Sequence, residues 1–289
     1  MLPLESVPNF SEGRDQAAID AIAAELSACA RLLDVHSDPD HNRSVYTLVG
    51  SEEELSDALL AGARAAVERI DLRRHEGAHP RIGAADVVPI VPLRPGDLER
   101  ARGAARAVGE RLAAELGLPV FLYAPPERGP AFYRRGGTEG LQRRLDAGEL
   151  EPDFGPSRLH PTAGGIIAGA RLPLIAFNVN LRGTLETARA IAGVVRERGG
   201  GFPGVRALGL ELRSAGLVQV SMNVEDWEAA ALHDIVERIA AEAEARGAEV
   251  AGSELVGLMP AGAAAAAAGA VLRIEGFDAS RVLEARLLD

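Results

Sequence analysis

The sequence predicts an α/β fold of the α+β kind, made of two βαββαβ sandwich subdomains. Apolar strand-like runs alternate with helical segments along the whole chain. In the second half they follow the order β-α-β-β-α-β, the split βαβ pattern of a ferredoxin-like sandwich, and the first half begins in the same order. We therefore expect subdomains at residues 1–171 and 172–289, each a sheet with helices on one face, with a ligand cleft between them.

Periodicity and turn signals define the elements of the first half. Ser51 and Glu54 form a capping box that begins a helix, and a polar loop at 37–44 between two apolar runs indicates a hairpin. Residues 9–13, after the first strand, are expected to form a loop. The expected strands are 4–7, 32–35, 45–49, 87–91 and 120–123, the expected helices are 15–30, 51–70 and 97–116, and the stretch 125–165 is loop-rich with a short helix near 139–147.

The second half is more regular, and a glycine-rich break at 199–204 separates its first helix from the next strand. An alanine-rich helix is expected around 263–268. The expected strands are 174–179, 207–212, 217–222 and 250–256, and the expected helices are 184–198 and 226–246.

Composition indicates a globular protein, with 47% hydrophobic and 25% charged residues in 289. A net charge of -11 argues against a nucleic-acid partner. No apolar stretch is long enough to span a membrane and no signal peptide begins the chain, so we expect no membrane partner and a cytoplasmic location. Cys29 is the only cysteine, which excludes an internal disulfide and any multi-cysteine metal site.

The chain contains no lysine, so all 31 basic residues are arginines. Schiff-base chemistry and the P-loop phosphate site both need an amine side chain and are excluded. Anionic ligands must therefore be bound by guanidinium groups, backbone amides or helix N-termini.

A histidine-rich segment follows the second predicted helix and permits two interpretations. His75, Glu76 and His79 spell H-E-x-x-H, the signature of zinc peptidases, which requires a helix to bring both imidazoles onto one metal. Gly77 and Pro80 both oppose a helix here. The segment is therefore expected to be a loop that presents His79 as a proton-transfer group.

Two further polar segments contain candidate site residues. The segment after the first strand can hold an anion or cap the following helix. The segment 34–43 combines carboxylates, histidines and an arginine, and His36 or a nearby carboxylate could orient the imidazole of His79. The candidates from these two segments are Asn9, Ser11, Asp34, His36, Asn42 and Arg43.

The stretch 152–165 is rich in proline and glycine and is either a domain linker or a stiff loop that lets the backbone approach a flat ligand.

Several motifs, in this order, resemble those of the formiminotransferase domain family, as in formiminotransferase-cyclodeaminase. The matching motifs are VPNFSEG at 7–13, LDV at 33–35, NRSVYT at 42–47, HPRIGA at 79–84, PDFGP at 152–156 and LIAFNVN at 174–180, with a weaker match LVGL at 255–258. The resemblance covers nearly the whole chain.

The resemblance implies a two-subdomain, homodimeric enzyme of histidine degradation and one-carbon metabolism. Such an enzyme transfers the formimino group of N-formimino-L-glutamate to N5 of tetrahydrofolate, a co-substrate, and no metal is expected. The family's catalytic histidine falls on His79, and we assign Arg43 and Arg81 to the substrate carboxylates. The implied folate-binding residues are Gly155, Pro156, Ser157, Arg158, Leu159, His160, Pro161, Thr162, Ala163 and Gly164.

The chain departs from the family pattern in two respects. Animal members carry an acid where this chain has His36, so any assistance to His79 must come from His36 or from Asp34, Asp38 or Asp40. Animal members also continue into a deaminase domain, and because this sequence stops at residue 289 we expect no cyclodeaminase activity from it.

Three alternatives stay open from sequence. A formyl donor, 5-formyltetrahydrofolate or N-formyl-glutamate, could be used on the same fold. A zinc peptidase would use His75, Glu76 and His79, and a folate-binding protein would bind without catalysis.

Overall fold

A computed structural model describes residues 2–123 and 128–286 of the chain. The chain divides into two compact units between Leu172 and Pro173. Each unit contains a sheet with helices packed on it, which confirms the predicted α+β class. Within the described residues, no helix combines the length and the apolar character that crossing a bilayer requires.

The N-terminal unit begins with the order β-α-β-β-α-β and continues with further helices and strands. Its strands are β1 (Leu4–Ser6), β2 (Asn9–Phe10), β3 (Arg31–Asp38), β4 (Arg43–Gly50), β5 (Ala85–Pro92), β6 (Val120–Tyr123) and β7 (Ile166–Ala170). Its helices are α1 (Gln16–Cys29), α2 (Glu52–Arg69), α3 (Leu98–Leu116), α4 (Pro130–Tyr133) and α5 (Gly137–Asp146).

The strands of this unit form one sheet. β1 and β2 act as two pieces of one interrupted strand, because both pair antiparallel with β4 and β5. β3 pairs with the other side of β4, and β7 lies parallel between β5 and β6. The unit is therefore a ferredoxin-like core that two parallel strands extend.

Helices α1, α2 and α3 cover one face of this sheet. The side chain of Asp15 caps α1, and the predicted capping box of Ser51 and Glu54 is present at the start of α2. Ile22 and Leu59 are buried against the sheet in the main apolar core. Full burial of such a side chain stabilises the fold by roughly 1.5–3 kcal/mol.

Helices α4 and α5 cover part of the opposite face. Tyr133 and Leu141 pack there against Phe121 and Ile167, which alternate along their strands with residues of the main core. The expectation of helices on one face is therefore wrong for this unit. The extra strands β6 and β7 present a second apolar face that needs a cover.

The C-terminal unit is a four-stranded antiparallel sheet with helices. Its strands β8–β11 lie in the order β11-β8-β10-β9, which is the ferredoxin-like order and confirms the predicted βαββαβ pattern. The strands are β8 (Ile175–Arg182), β9 (Val205–Leu212), β10 (Leu217–Val224) and β11 (Glu249–Val256), and the helices are α6 (Leu185–Val195), α7 (Leu232–Glu244), α8 (Ala261–Leu272) and α9 (Leu283–Arg286).

Three local predictions are wrong. Residues Asn9–Phe10 form strand β2 rather than a loop, because they lie between β4 and β5 and pair with both. Strand β7 was missed because its apolar run lies at the expected domain boundary. Helix α7 begins at Leu232 rather than near 226, since Asp226 closes a turn by accepting a hydrogen bond from the amide of Ala229.

Candidate active site

The segment that carries the H-E-x-x-H motif is not an α-helix. A short 3-10 helix, Leu72–Arg74, ends at His75, and extended or turn backbone follows to the start of β5. His75 Nε2 lies 3.0 Å from the carbonyl oxygen of Asn42. The helical geometry that a zinc peptidase needs is therefore not present here, and no group of three potential metal ligands occurs within 2–123 and 128–286.

The imidazole of His79 is half-buried and held in one orientation. Its Nδ1 lies 2.9 Å from the carbonyl oxygen of Pro80, which can only accept a hydrogen bond. Nδ1 must therefore carry the proton of the neutral ring, which leaves Nε2 as the basic atom. The sequence suggested an orienting partner among Asp34, His36, Asp38 and Asp40, but the atom that contacts Nδ1 is this backbone carbonyl.

Several cationic side chains surround His79. Burial, reinforced by the charges of Arg43, Arg134, His41 and Arg81, holds the pKa of His79 well below its ordinary value of 6.5. The ring of His41 stacks on it, with 6.0 Å between the ring centroids and 26° between the planes. At neutral pH, His79 is therefore an unprotonated base in a cationic site.

Arg81 fixes the backbone around this site by donating hydrogen bonds to three carbonyl oxygens. Its Nη1 donates to the carbonyl oxygen of Asn42 at 3.0 Å and its Nη2 to that of His41 at 3.0 Å. Its Nε donates to the carbonyl oxygen of His79 at 3.1 Å. A polar depression of about 370 Å³ lies beside Arg81 and is lined in part by His75 and Thr138.

Arg43 is different, because its guanidinium makes no hydrogen bond or ion pair with any residue that the structure describes. Burial lowers its pKa to about 10, with the charge of Arg134 adding to the effect. It is still a cation at neutral pH. Its donors are available to an anionic ligand beside His79.

Asp86 connects the loop that carries His79 to a third arginine, Arg134. This carboxylate is almost fully buried, accepts the amide hydrogens of Ile82 and Gly83 at 2.7 and 3.2 Å, and forms an ion pair with Arg134. Sequence reasoning missed Asp86 and Arg134, whereas His41 lies in the segment 34–43 whose histidines it considered as candidates. The one signal for Asp86 is a single acid inside the apolar run of β5.

Asn42, in the turn after β3, and Ser11, directly after β2, are both hydrogen-bonded to the loop that carries His79. Asn42 adopts a left-handed backbone with φ of 47°, its Oδ1 accepts from the amide of Gly13 at 2.9 Å, and its Nδ2 donates to the carbonyl of Glu76 at 2.9 Å. The hydroxyl of Ser11 donates to the carbonyl of Gly83 at 2.7 Å. Both side chains therefore fix the backbone on which His79 and Arg81 are placed.

The other candidates lie further along the same sheet. Asn9 is on β2, where its Nδ2 donates to the carbonyl of Val7 at 2.9 Å. Asp34 and His36 are on β3 and pair with Thr47 and Val45 of β4. The charges that act most on His79 belong to other residues.

The loop from Gly155 to Gly164 is ordered at both ends. Near its start, the carbonyl of Phe154 accepts the amide of Val120 at 2.9 Å. Near its end, the carbonyl of Ala163 accepts the amide of Ala84 at 2.9 Å, and Nδ1 of His160 accepts the amide of Ala163 at 3.0 Å. The structure therefore joins the end of this loop to the segment after His79, and residues 155–158 are exposed.

Gly164→Ala is expected to destabilise the protein more than Gly148→Ala does. Both glycines have a positive φ, of 69° and 68°, so both substitutions cost roughly 1–2 kcal/mol of backbone strain. A Cβ on Gly164 would also lie 2.0 Å from the carbonyl oxygen of Ile82, whereas one on Gly148 meets nothing within 4 Å. The clash adds roughly 1–3 kcal/mol. Urea denaturation of both variants measures the difference, and equal losses would contradict it.

Comparison with known proteins identifies the family. The model for the formiminotransferase domain, N-terminal subdomain, matches residues 3–171, and that for the formiminotransferase domain matches residues 176–279. The chain is 40% identical to glutamate formimidoyltransferase of Streptococcus pyogenes, over 99% of this chain and 98% of that protein. It is 39% identical to glutamate formimidoyltransferase of Thermoplasma acidophilum, over 98% and 97% respectively.

This chain aligns with only part of the length of a longer relative. The chain is 45% identical to formimidoyltransferase-cyclodeaminase of Sus scrofa over 89% of this chain, and it spans 50% of that protein. The family models together cover most of the sequence, and relatives of this identity extend over nearly all of it. The chain therefore belongs to the formiminotransferase domain family.

Proposed function

We propose that this protein transfers the formimino group from N-formimino-L-glutamate to N5 of tetrahydrofolate, giving glutamate and 5-formiminotetrahydrofolate. The observation that carries the proposal is the juxtaposition of a neutral, oriented His79 with Arg43, whose guanidinium has no hydrogen-bond or ion-pair partner among the residues that the structure describes. The names of the full-length relatives, glutamate formimidoyltransferase, support it.

His79 acts as both base and acid. As N5 of tetrahydrofolate attacks the amidine carbon, Nε2 of His79 takes the proton that N5 loses. The tetrahedral intermediate then breaks at its bond to the glutamate nitrogen, to which His79 returns that proton. The histidine ends in its starting state, and the chemistry requires no covalent enzyme intermediate.

The cationic side chains around His79 bind the donor, N-formimino-L-glutamate. Formiminoglutamate is a dicarboxylate, and a guanidinium binds a carboxylate through two parallel hydrogen bonds. Arg43 supplies these bonds. Arg81, whose donors already contact backbone carbonyls, contributes charge and holds His79 in place. Alignment of the two bound substrates supplies much of the remaining rate enhancement.

The loop from Gly155 to Gly164 binds the folate. Its exposed glycine–proline start allows close approach of a flat ring system, and its end is hydrogen-bonded to the backbone that follows His79. The exposed guanidinium of Arg158 is suited to the carboxylates of the folate tail.

A spectrophotometric transfer assay tests the proposed function. Purified protein with tetrahydrofolate and N-formimino-L-glutamate is expected to form 5-formiminotetrahydrofolate, while N-formyl-glutamate and 5-formyltetrahydrofolate serve as alternative donors in parallel reactions. The proposal would be contradicted if product formed only with a formyl donor, or if no product formed with any of the donors.

We also propose that the protein forms a homodimer in the cytoplasm and acts in histidine degradation, as the family resemblance implies.

A further inference from the structure

The donor of the proposed function carries two carboxylates, and Arg43 accounts for only one of them. The chain contains no lysine, so the second carboxylate needs another arginine, a backbone amide or a helix N-terminus. Arg81 already donates to three backbone carbonyls. The third arginine whose charge acts on His79 is Arg134, at the end of α4.

The side chain of Arg134 is held beside the catalytic loop by Asp86. Oδ1 of Asp86 accepts the amide hydrogens of Ile82 and Gly83 at 2.7 and 3.2 Å, shortly after His79 in the chain. Oδ2 of the same carboxylate accepts a hydrogen bond from Nε of Arg134 at 3.0 Å and another from its Nη2. The side chains of Asp86 and Arg134 are 3% and 13% exposed, so solvent ions screen this pair little. The pair therefore fixes the guanidinium relative to the loop.

Asp86 occupies only one edge of the Arg134 guanidinium. The group has five N–H donors, and the bonds to Asp86 use the one on Nε and one of the two on Nη2. The other donor of Nη2 and the donors of Nη1 form the end of the group, and Nη1 has no hydrogen-bond partner within residues 2–123 and 128–286. A carboxylate matches two parallel donors of this kind. Arg134 can therefore bind Asp86 and an anionic ligand at the same time.

The charges around His79 also favour a second anion. The pKa of Arg43 is lowered first by burial and next by the charge of Arg134, and Asp86 and Asp38 each oppose this by a smaller amount. The pKa of His79 is lowered by burial, then by Arg43 and then by Arg134. Cations that repel one another in this way are stabilised when anions bind beside them.

We propose that Arg134 binds the second carboxylate of the donor, so that Arg43 and Arg134 together select a dicarboxylate. This inference rests on the proposed function. Both carboxylates of N-formimino-L-glutamate lie within a few bonds of the amidine carbon, whereas a p-aminobenzoyl ring separates the tail carboxylates of tetrahydrofolate from N5. Cations beside His79 therefore suit the donor and not the folate tail. Asp86 is the positioning residue that holds Arg134.

Arg134→Lys is the first test, because it keeps a cation for Asp86 but loses the planar group that can bind two carboxylates at once. Calorimetry without tetrahydrofolate measures the binding of three donors: N-formimino-L-glutamate, N-formimino-L-glutamine, which lacks the side-chain carboxylate, and N-formimino-γ-aminobutyrate, which lacks the α-carboxylate. Affinity for N-formimino-L-glutamate is expected to fall about 10-fold, the factor for one hydrogen bond to a charged group.

The two monocarboxylate donors identify the group that Arg134 binds. One of them lacks that group, so Arg134→Lys should leave its affinity at the wild-type value and lower the affinity of the other. Arg43→Gln should show the opposite selectivity, because Arg43 binds the other carboxylate. Tetrahydrofolate, measured separately, should bind to both variants as it does to the wild type.

Arg135→Lys is the matched control, because Arg135 is the next residue in the chain and is exposed. It should bind every probe as the wild type does. The double variant Asp86→Asn, Arg134→Gln is the second test. It keeps an acceptor for the amides of Ile82 and Gly83, and replacing both partners of a buried pair avoids leaving one charge unpaired. The same selective loss in this variant decides the question if circular dichroism shows that Arg134→Lys does not fold.

Equal loss of affinity for all three donors in the folded variants, or no loss for any of them, would overturn the role of Arg134. A loss confined to tetrahydrofolate would overturn it as well. Absence of transfer by a wild-type protein that binds the donors would instead overturn the proposed function, and the calorimetry would still test Arg134. A wild-type protein that binds none of the donors would overturn both.

Discussion

His79→Ala is expected to lower kcat by a factor of roughly 10²–10⁴, the usual contribution of a positioned acid–base group. Tetrahydrofolate is expected to bind with near wild-type affinity, because the hydrogen bond between Nδ1 of the ring and the carbonyl oxygen of Pro80 is local to this loop. Steady-state assays measure the loss of turnover, and calorimetry measures the retained binding.

His233→Ala is the matched control for this variant. His233 lies on α7 and pairs with Asp234 at 3.4 Å, so its removal is expected to leave turnover unchanged. Near-normal turnover of His79→Ala would refute the assignment of the base. Partial rescue of His79→Ala by added imidazole would support it.

The pH profile gives an independent test of the same residue. A base must be unprotonated to act, and the pKa of His79 is held well below 6.5 by burial and by the neighbouring arginines. As pH falls, kcat/KM is therefore expected to stay high through 6.5 and to decline only below it. A decline that begins above 6.5 would contradict the cationic environment that we describe.

Arg43→Gln is expected to raise KM for formiminoglutamate by roughly 10–150-fold, the factor that corresponds to about 1.5–3 kcal/mol for hydrogen bonds to a charged group. The free energy of unfolding should change little, because Arg43 makes no hydrogen bond or ion pair within the described part of the chain. Arg43→Lys keeps the charge but lacks the planar guanidinium, so its KM should lie between that of the wild type and that of Arg43→Gln. Steady-state kinetics and urea denaturation measure the two quantities.

Two other arginines distinguish this role from a structural one. Arg81→Gln should lower both kcat and stability, since Arg81 holds the carbonyls of His41, Asn42 and His79. Arg64→Gln removes an exposed ion pair with Glu115 and should change neither quantity. If Arg43→Gln destabilised the protein as Arg81→Gln does and left KM unchanged, Arg43 would be structural.

Local features of the sequence predicted much of this structure correctly. The capping box at Ser51 depends on neighbouring residues and is where the sequence placed it, and strands β8 and β10 overlap the apolar runs that predicted them. Gly77 and Pro80 disfavour a helix through their own backbone geometry, so the loop around His79 was predictable from a few residues. The ferredoxin-like order of the second half followed from the succession of such elements.

The features that were missed depend on residues far apart in the chain. Asp86 and Arg134 are 48 positions apart and form one ion pair only because β5 and the end of α4 come together. Strand β7 takes its place between β5 and β6 through parallel pairing, which no local pattern encodes.

The arginines near His79 show most clearly the difference between what local sequence determines and what long-range packing determines. From sequence, Arg43 and Arg81 were equivalent candidates for a carboxylate, because a guanidinium has the same five donors wherever it stands. Folding satisfied the donors of Arg81 with backbone carbonyls, whereas those of Arg43 have no such partner within residues 2–123 and 128–286. Residue types and local backbone preferences thus set which chemistry is possible, whereas long-range packing determined which side chain is free to perform it.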